Sequence, residues 1–348
     1  MHMSDALLSP AVGGVAWVAA AGLTAHAARS HQRELETSRP ALMGVVGAFV
    51  FAAQMINFTI PGTGASGHLG GGLLLSILLG PHAAFLVMAS VLGVQALLFA
   101  DGGLLALGCN IVNLGFFTCL VAYPLLFRPL AGRSPTRGRL TLATLVAAVA
   151  GLLMGAMAVV LETTFSGISL LPFGSFVLFM LPIHFGIGIV EGLVTASVVL
   201  YVWRARPELL RLQHSTAAAS KPIRRLLAAF AAATVLVGGA VSWFASTHPD
   251  GLEWAIGKIT GQEELASPDE GLHGVLERVQ ETTALMPDYS LRSAREESST
   301  EPDWPAVDRA TSLSGIVGGG LTLLLALGVG YGLHALRRRR LSSPPQAS

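Results

Sequence analysis

Long apolar segments recur along the whole chain, and short polar stretches separate them. About 20 apolar residues suffice for a helix to cross a bilayer, so this pattern predicts an all-α membrane protein with many crossings. The third segment is short, and a simple hydropathy window would fuse it with the fourth. The predicted spans are 11–28, 40–58, 69–79, 82–100, 105–127, 139–163, 176–203, 224–247 and 309–336.

Arginine clusters argue that the third and fourth segments are separate spans. The clusters at 29–39 and 128–139 follow the first and the fifth spans, so both should be cytoplasmic. Two loops on the same side of a membrane are joined by an even number of crossings. Four crossings connect these two loops only if the third and fourth segments are counted as separate spans. Gly80-Pro81 is the turn expected at that position. Nine spans then place the N-terminus outside and the C-terminus inside.

Composition supports the membrane assignment, and the charge distribution supports the orientation. The chain is 52% hydrophobic and 12% charged, with a mean hydropathy of +0.61, far more apolar than a typical soluble protein. Of the 22 Lys and Arg residues, 17 fall in the four segments predicted to be cytoplasmic. Of the 21 Asp and Glu residues, 14 fall between Asp250 and Asp308, which this topology places outside. The expected surroundings are therefore lipid, and nucleic acid is not an expected partner.

Three parts can be distinguished along the chain. Residues 1–203 form a seven-span unit with short loops, and residues 204–223 read as a cytoplasmic linker. Residues 224–348 contain the last two spans and a long acidic loop between them. We expect this loop to attract cations through its field without supplying the final ligands, because exposed carboxylates are weak hosts for a transition metal.

The N-terminal residues carry the most specific chemistry in the chain. The Met1 amine, the backbone amide nitrogen of His2 and the His2 imidazole lie on consecutive chelating positions, and no cleavable signal sequence is expected ahead of them. Three such nitrogens can occupy three corners of a square around Ni(II) or Cu(II). The glycine-rich loop 61–68 lies on the same predicted side, so His68 can supply the fourth nitrogen. The sequence thus predicts a metal carrier with Met1, His2 and His68 as ligands.

Polar residues within apolar spans are costly and are candidates for function. We expect the amide side chains of Gln54, Asn57, Asn110 and Asn113 to give hydrogen-bonding support behind the metal ligands. His184 and Glu191 lie seven residues apart on one predicted helix face and form a possible intramembrane pair. Hydrogen bonds that only fix helix packing explain each of these residues about equally well.

Three functional hypotheses follow from these residues. The first is a binding and transport subunit for Ni(II) or Co(II), with ATP hydrolysis on other subunits because the 61–68 loop lacks the ending of a phosphate-binding loop. The second is an intramembrane metallo-enzyme that uses His184 and Glu191, although these two residues make a poor metal cage. The third is a proton-coupled secondary carrier, which Glu191 leaves open.

Short motifs spread over residues 1–203 resemble a known family. The opening MHMSDALLSP is similar to the MHIPDGxLSP start of CbiM and NikM, the substrate-binding (S) components of energy-coupling-factor (ECF) nickel and cobalt transporters. The segment PDGLEW is similar to the PDGLE signature of the small NikN-type partner, so the chain resembles a fused NikMN protein. The quoted segments are 1–10, 66–69, 80–81, 108–113, 191–192 and 249–254.

The resemblance implies a function, partners and a location. It implies a seven-helix S-component bundle plus a two-helix hairpin, in the bacterial inner membrane, that captures Ni(II) or Co(II) as cargo with no permanently bound cofactor. It implies metal ligation by the Met1 amine, the His2 amide and imidazole, and His68. It further implies a CbiQ/NikQ-like coupling protein and CbiO/NikO-like ATPases as partners, with cobalt serving cobalamin synthesis. Ser4 and Ala6 depart from the family pattern, as does the insertion of Gly64-Ala65.

Overall fold

A computed structural model describes residues 2–34, 40–210, 212, 223–268, 270–290, 305 and 307–342. Eleven helices and one two-stranded hairpin, joined by four short 3-10 turns, make up this part of the chain. The helices are α1 (Pro10–Glu34), α2 (Pro40–Gln54), α3 (Gly72–Leu79), α4 (Pro81–Phe99), α5 (Leu107–Ala131), α6 (Arg137–Ser166), α7 (Phe173–Ala205), α8 (Arg224–Gly239), α9 (Gly251–Thr260), α10 (Gly271–Thr283) and α11 (Arg309–Ser342).

Six helices in the described residues are long and apolar enough to cross a membrane: α1, α4, α5, α6, α7 and α11. The other three predicted spans correspond to shorter helices. The helix α2 has 15 residues, α3 has 8 and α8 has 16. Eight residues rise only about 12 Å, so α3 cannot cross a bilayer by itself. The chain is a multi-pass helical membrane protein, and the count of nine spans stays a prediction.

The predicted boundaries of the second and third spans are wrong. The helix α2 ends at Gln54, and residues Phe58–Ile60 form strand β1 rather than a last helical turn. Strand β1 pairs antiparallel with β2 (Ala65–Gly67), with Thr59 opposite Ser66. Hydropathy alone cannot distinguish these apolar strand residues from a continuing helix. The helix α3 begins at Gly72, because Gly71 adopts a left-handed φ of 77° that stops it from starting earlier.

The predicted eighth span, 224–247, is also broken. The helix α8 ends at Gly239, and a 3-10 turn, Val241–Phe244, follows it. Between this turn and α11, residues 251–260 and 271–283 form the short helices α9 and α10 within the predicted acidic loop. Of the predicted 204–223 linker, residues 211 and 213–222 lie outside the described residues.

Glycines allow the helices to approach closely at several crossings. A Cβ on Gly108 of α5 would lie 2.6 Å from the backbone nitrogen of Trp17 on α1. A Cβ on Gly315 of α11 would lie 2.7 Å from the Cα of Gly238 on α8. Because glycine has no side chain, the backbones of the two helices can come into direct contact at such crossings, which allows membrane helices to pack tightly. The first contact joins α5 to α1, and the second joins α11 to α8.

The N-terminus, the hairpin and the loop after α4 lie together at one end of the bundle, which we call the hairpin end. Helices α9 and α10 cover this end. Ser66 of β2 donates its backbone N–H to the Pro249 carbonyl at 2.8 Å, and Trp254 of α9 donates its indole N–H to the Thr63 carbonyl at 3.0 Å. The last part of the chain is thereby hydrogen-bonded directly to the predicted metal-binding loop.

Candidate metal site

Residues 2–8 are held in a groove at the hairpin end. Met3 is fully buried, and its backbone N–H donates to the Asn110 side-chain oxygen at 2.8 Å, while its carbonyl accepts from the Asn110 amide at 3.2 Å. The Met3 carbonyl also accepts the Gly103 N–H at 2.9 Å. Asp5 accepts the backbone N–H groups of Leu105 and Ala106 just before α5 begins. These bonds fix the N-terminal segment against two other elements.

The two predicted histidines meet in this region. The rings of His2 and His68 stack with centroids 5.0 Å apart and planes 17° apart. Met1, the third predicted ligand, lies outside the described residues. His68 donates its Nδ1–H to the Leu69 carbonyl at 3.2 Å, which leaves Nε2 as the nitrogen that can bind a metal.

Asp101, which sequence reasoning did not select, contacts His2 directly. Its carboxylate accepts the Nδ1–H of His2 at 2.7 Å. The hydroxyl of Tyr289, on the turn after α10, donates to the other carboxylate oxygen. The Nε2 atom of His2 is buried and has no hydrogen-bond partner among the described residues. In this structure the His2 ring is therefore held by a hydrogen bond to the Asp101 carboxylate and by its stack on His68.

Charge and burial prepare the site for a cation. Burial, reinforced by neighbouring positive charge, lowers the pKa of His68 to about 3, so its imidazole is neutral at physiological pH. Burial alone would raise the pKa of Asp101, but the charge and hydrogen bond of His2 outweigh it and hold that pKa below its usual range. A neutral imidazole beside an ionised carboxylate is the protonation state that favours metal binding.

The amide side chains predicted to support the ligands divide into two groups. Gln54 donates to the Gly70 carbonyl at 2.7 Å and accepts from Gln95 at 2.9 Å, so it holds the backbone two residues beyond His68. Asn57 lines the cavity described below, and its backbone carbonyl accepts the Ser246 N–H. In the second group, Asn110 holds Met3 as described.

Asn113 occupies the same side of α5 as Asn110. Its side-chain amide donates to Glu162 of α6 at 2.7 Å and approaches the Met3 sulfur at 3.7 Å. Glu162 was not singled out by sequence reasoning, although it is one of only two Asp or Glu residues in predicted spans 139–163 and 176–203. The contact joins α5 and α6 beside the buried Met3 side chain.

His184 and Glu191 both lie buried on α7, but they contact different partners. The Glu191 carboxylate accepts the backbone N–H groups of Gly70 and Gly71 at 3.1 and 3.0 Å. His184 donates its Nδ1–H to the Met180 carbonyl at 2.8 Å, one turn earlier in its own helix. Glu191 thus fixes the backbone between His68 and α3. The two residues do not form a hydrogen-bonded pair.

A cavity of about 470 Å³ opens beside His2 and His68 at the hairpin end. Asp250 lies at its wall and caps α9, where it accepts the N–H groups of Leu252 and Glu253. Burial alone would raise the pKa of Asp250, but neighbouring positive charge holds it below its usual range. Further carboxylates from the predicted acidic loop line the cavity: Glu253, Glu263, Glu264, Glu277 and Asp288.

The segment 270–290 is fastened to the loop that carries Asp101. The Gln280 amide donates to the Ala96 and Gly102 carbonyls at 2.9 and 2.7 Å. Met286 donates its backbone N–H to the Leu98 carbonyl at 3.1 Å, and His273 donates to the Leu8 carbonyl at 2.8 Å. This part of the chain therefore covers the site and contacts both the N-terminal segment and the end of α4.

Long apolar helices around a buried polar site at one end define a multi-pass membrane transport protein. Residues 2–209 match the CbiM family, described as the cobalt uptake substrate-specific transmembrane region, and residues 224–335 match the PDGLE domain. The chain belongs to the CbiM family, and its PDGLE domain gives it the arrangement of the fused NikMN proteins.

Relatives and solved structures agree with this membership. The chain is 29% identical to the fused nickel transport protein NikMN of Rhodobacter capsulatus, over 97% of this chain and 99% of the relative. It is 33% identical to a protein of Archaeoglobus fulgidus provisionally named as a fused nickel transport protein NikMN, over 94% and 97%. A crystal structure of a truncated transition metal transporter matches with a TM-score of 0.52 and 28% identity, over 59% of this chain and 99% of that one.

Proposed function

We propose that this protein is the substrate-binding membrane subunit of an ECF-type importer and that it captures Ni(II) or Co(II) outside the cell. The observation that carries the proposal is the stack of His2 on His68 beside Asp101, with both imidazoles held at the buried hairpin end. The ligands are the Met1 amine, the His2 amide and imidazole, and His68. The metal is the cargo, and no permanently bound cofactor is proposed.

Four nitrogen donors favour Ni(II) over Co(II) in this proposal. A square of nitrogens suits the tetragonal preference of Ni(II). The names of the fused relatives, which refer to nickel, support the same choice. A relative from Sorangium cellulosum is named a cobalt transport protein and is 31% identical over 61% of this chain, so cobalt stays within the proposed substrate class.

The proposed assembly places the hairpin end outside a bacterial plasma membrane and the C-terminus inside. Residues 1–203 bind the metal, residues 204–223 link the two parts, and residues 224–348 form the PDGLE part that covers the site. A CbiQ/NikQ-like coupling protein and CbiO/NikO-like ATPases supply the energy. The charge segregation along the chain and the family membership support this arrangement.

The two alternative functions, a proton-coupled carrier and an intramembrane metallo-enzyme, both depend on Glu191, which has a structural role here. Both oxygens of Glu191 accept backbone N–H groups, so this carboxylate is committed to holding Gly70 and Gly71. A proton carrier would need this group to change its bonding in each cycle, and a metallo-enzyme would need it beside His184. Neither arrangement agrees with the observed contacts.

Uptake of radioactive Ni(II) tests the proposed function. Cells that produce this chain together with the coupling protein and ATPases should accumulate nickel, and an ATPase variant without hydrolytic activity should abolish accumulation. Equal uptake with the active and the inactive ATPase would identify a secondary carrier instead. A cell that produces this chain alone provides the background value.

Cysteine labelling should reveal the proposed orientation. Cysteines introduced at Ser4 and Gly261 should react with a membrane-impermeant maleimide added from outside, because both positions lie at the hairpin end. A cysteine at Gly138, beside the arginines that begin α6, should react only after the membrane is opened. Equal reaction at all three positions in intact cells would exclude the proposed topology.

Replacing Glu263 and Glu264 together by glutamine should slow metal capture. Carboxylates that line the cavity raise the local concentration of a cation, so we expect the association rate at low salt to fall about threefold to tenfold. The amount of Ni(II) retained at equilibrium should change much less, since neither residue contacts His2 or His68.

The matched control for this pair is Glu270→Gln with Glu281→Gln. These two residues carry the same charge on the same part of the chain, but they do not line the cavity. Stopped-flow measurements across a range of ionic strengths distinguish the two pairs. An equal loss of rate in both would mean that net charge, rather than the cavity, attracts the metal.

A further inference from the structure

The turn at Pro287–Tyr289 brings an unusual backbone conformation to the metal site. Asp288 has a φ of 49° and Tyr289 a φ of 57°, both in the left-handed region. Residues other than glycine rarely occupy this region, and they persist there only where the surrounding structure fixes them. Two consecutive residues in this state therefore require strong local contacts.

The contacts of Tyr289 account for this conformation. Its ring stacks on Phe99 with centroids 4.9 Å apart and planes 18° apart, and its carbonyl accepts the Ser314 hydroxyl at 2.8 Å. Its hydroxyl donates to Asp101, as described above. The ring and the backbone are thus held by α4 and α11, and the conformation directs the hydroxyl to the carboxylate beside His2.

Among the described residues Asp101 has two hydrogen-bond donors, His2 and Tyr289, and only Tyr289 remains a donor when a metal binds. A metal held by the His2 amide can close a chelate ring only with Nδ1 of the same residue, because Nε2 points away from the backbone. That Nδ1 atom now donates to Asp101 at 2.7 Å. When the metal takes these two nitrogens of His2, the amide proton leaves to the water of the cavity, the Nδ1 proton moves to Nε2, and Asp101 loses His2 as a donor.

We propose that Tyr289 is a positioning residue of the metal site, which keeps Asp101 hydrogen-bonded after the metal has taken His2. The role rests on the proposed metal-binding function. In the metal-free protein Asp101 is shared by His2 and Tyr289, and in the metal-bound protein the Tyr289 hydroxyl alone remains. The PDGLE part thereby contributes to metal affinity through one side chain, without supplying a ligand.

Loss of the hydroxyl should therefore weaken the metal-bound state more than the metal-free state. Without metal, Tyr289→Phe leaves Asp101 its bond to His2. With metal, the same variant leaves a buried carboxylate without either donor. Hydrogen bonds to charged groups contribute enough to stability that we expect Ni(II) affinity to fall at least about tenfold.

The experiment measures Ni(II) binding to the purified full-length protein in detergent, with nickel chloride as the probe. Tyr289→Phe keeps the stack on Phe99 and removes only the hydroxyl. Its control is Tyr331→Phe, which removes a hydroxyl from an exposed position on α11 of the same part of the chain. We expect the metal-free Tm of the two variants to agree and the rise in Tm on adding Ni(II) to be smaller for Tyr289→Phe.

A double-mutant cycle with Asp101→Asn then identifies the route of the effect. If Tyr289 acts through Asp101, adding Tyr289→Phe to Asp101→Asn should change the affinity by less than about twofold. Additive losses, or an affinity for Tyr289→Phe equal to that of Tyr331→Phe, would overturn the proposal. Wild-type protein that retains no Ni(II) would instead overturn the proposed function itself, so the two failures are distinguishable.

Discussion

An extension of five residues ahead of Met1 should abolish Ni(II) retention, even though both histidines remain. The extension moves the free amine away from the His2 amide and breaks the sequence of adjacent chelate rings that defines the proposed site. His2→Ala should have an equally large effect, because it removes the imidazole that closes the second ring. His68→Ala removes one donor of four and should weaken retention strongly. Metal content per purified protein measures all three changes.

The metal-free variants provide the control for this prediction. The side chains of His2 and His68 line the cavity at the hairpin end, so the Tm of each variant without metal should stay close to that of the wild type. Mass spectrometry must verify that the added residues are still present. Normal metal content in an intact extended protein would refute the proposed role of the Met1 amine.

Replacing Asn110 by leucine should reduce Ni(II) affinity by at least about 30-fold. Leucine keeps the volume of the side chain but removes both hydrogen bonds to Met3, and it leaves the buried Met3 N–H without a partner. The N-terminal segment then leaves its groove, and metal binding must order it again. A loss of about 2 kcal/mol in binding free energy corresponds to this factor. Isothermal titration of the purified protein with Ni(II) gives the affinity.

Asn57→Ala is the matched control for this variant. Asn57 also lines the site cavity, but its side chain makes no hydrogen bond with the residues that the structure describes. We expect its substitution to change the affinity by less than about threefold. Wild-type affinity in Asn110→Leu would mean that the N-terminal segment does not need its groove in order to bind metal.

The six longest helices could be predicted because each contains about 20 apolar residues, a signal that depends only on local composition. Hydropathy could not predict where α2 ends. The apolar residues of β1 continue the pattern of the helix, and it is the pairing with β2, hydrogen-bonded in turn to Pro249, that makes them a strand. The start of α3 depends on Glu191, which is more than 100 positions away in the sequence.

In the site too, some residues could be predicted from the sequence, and others depend on contacts between distant parts of the chain. That His2 and His68 lie close together could be predicted, since both fall on the same predicted side of the membrane. Asp101 and Tyr289 could not, because 188 positions separate them and only the tertiary structure brings them together. One signal for Asp101 was present in the sequence: this acidic residue directly follows a predicted span that ends on the same side as the N-terminus.

The contacts between the PDGLE part and the rest of the site also determine when the site can form during synthesis. Residues near positions 2, 68, 101, 250 and 289 meet at one place, so the first and last of them are separated by most of the chain. Contacts between distant positions form late, after the intervening helices have packed. Under the proposed role of Tyr289, a ribosome-bound chain that has not yet exposed this residue already carries the proposed ligands but lacks one hydrogen-bond donor to Asp101.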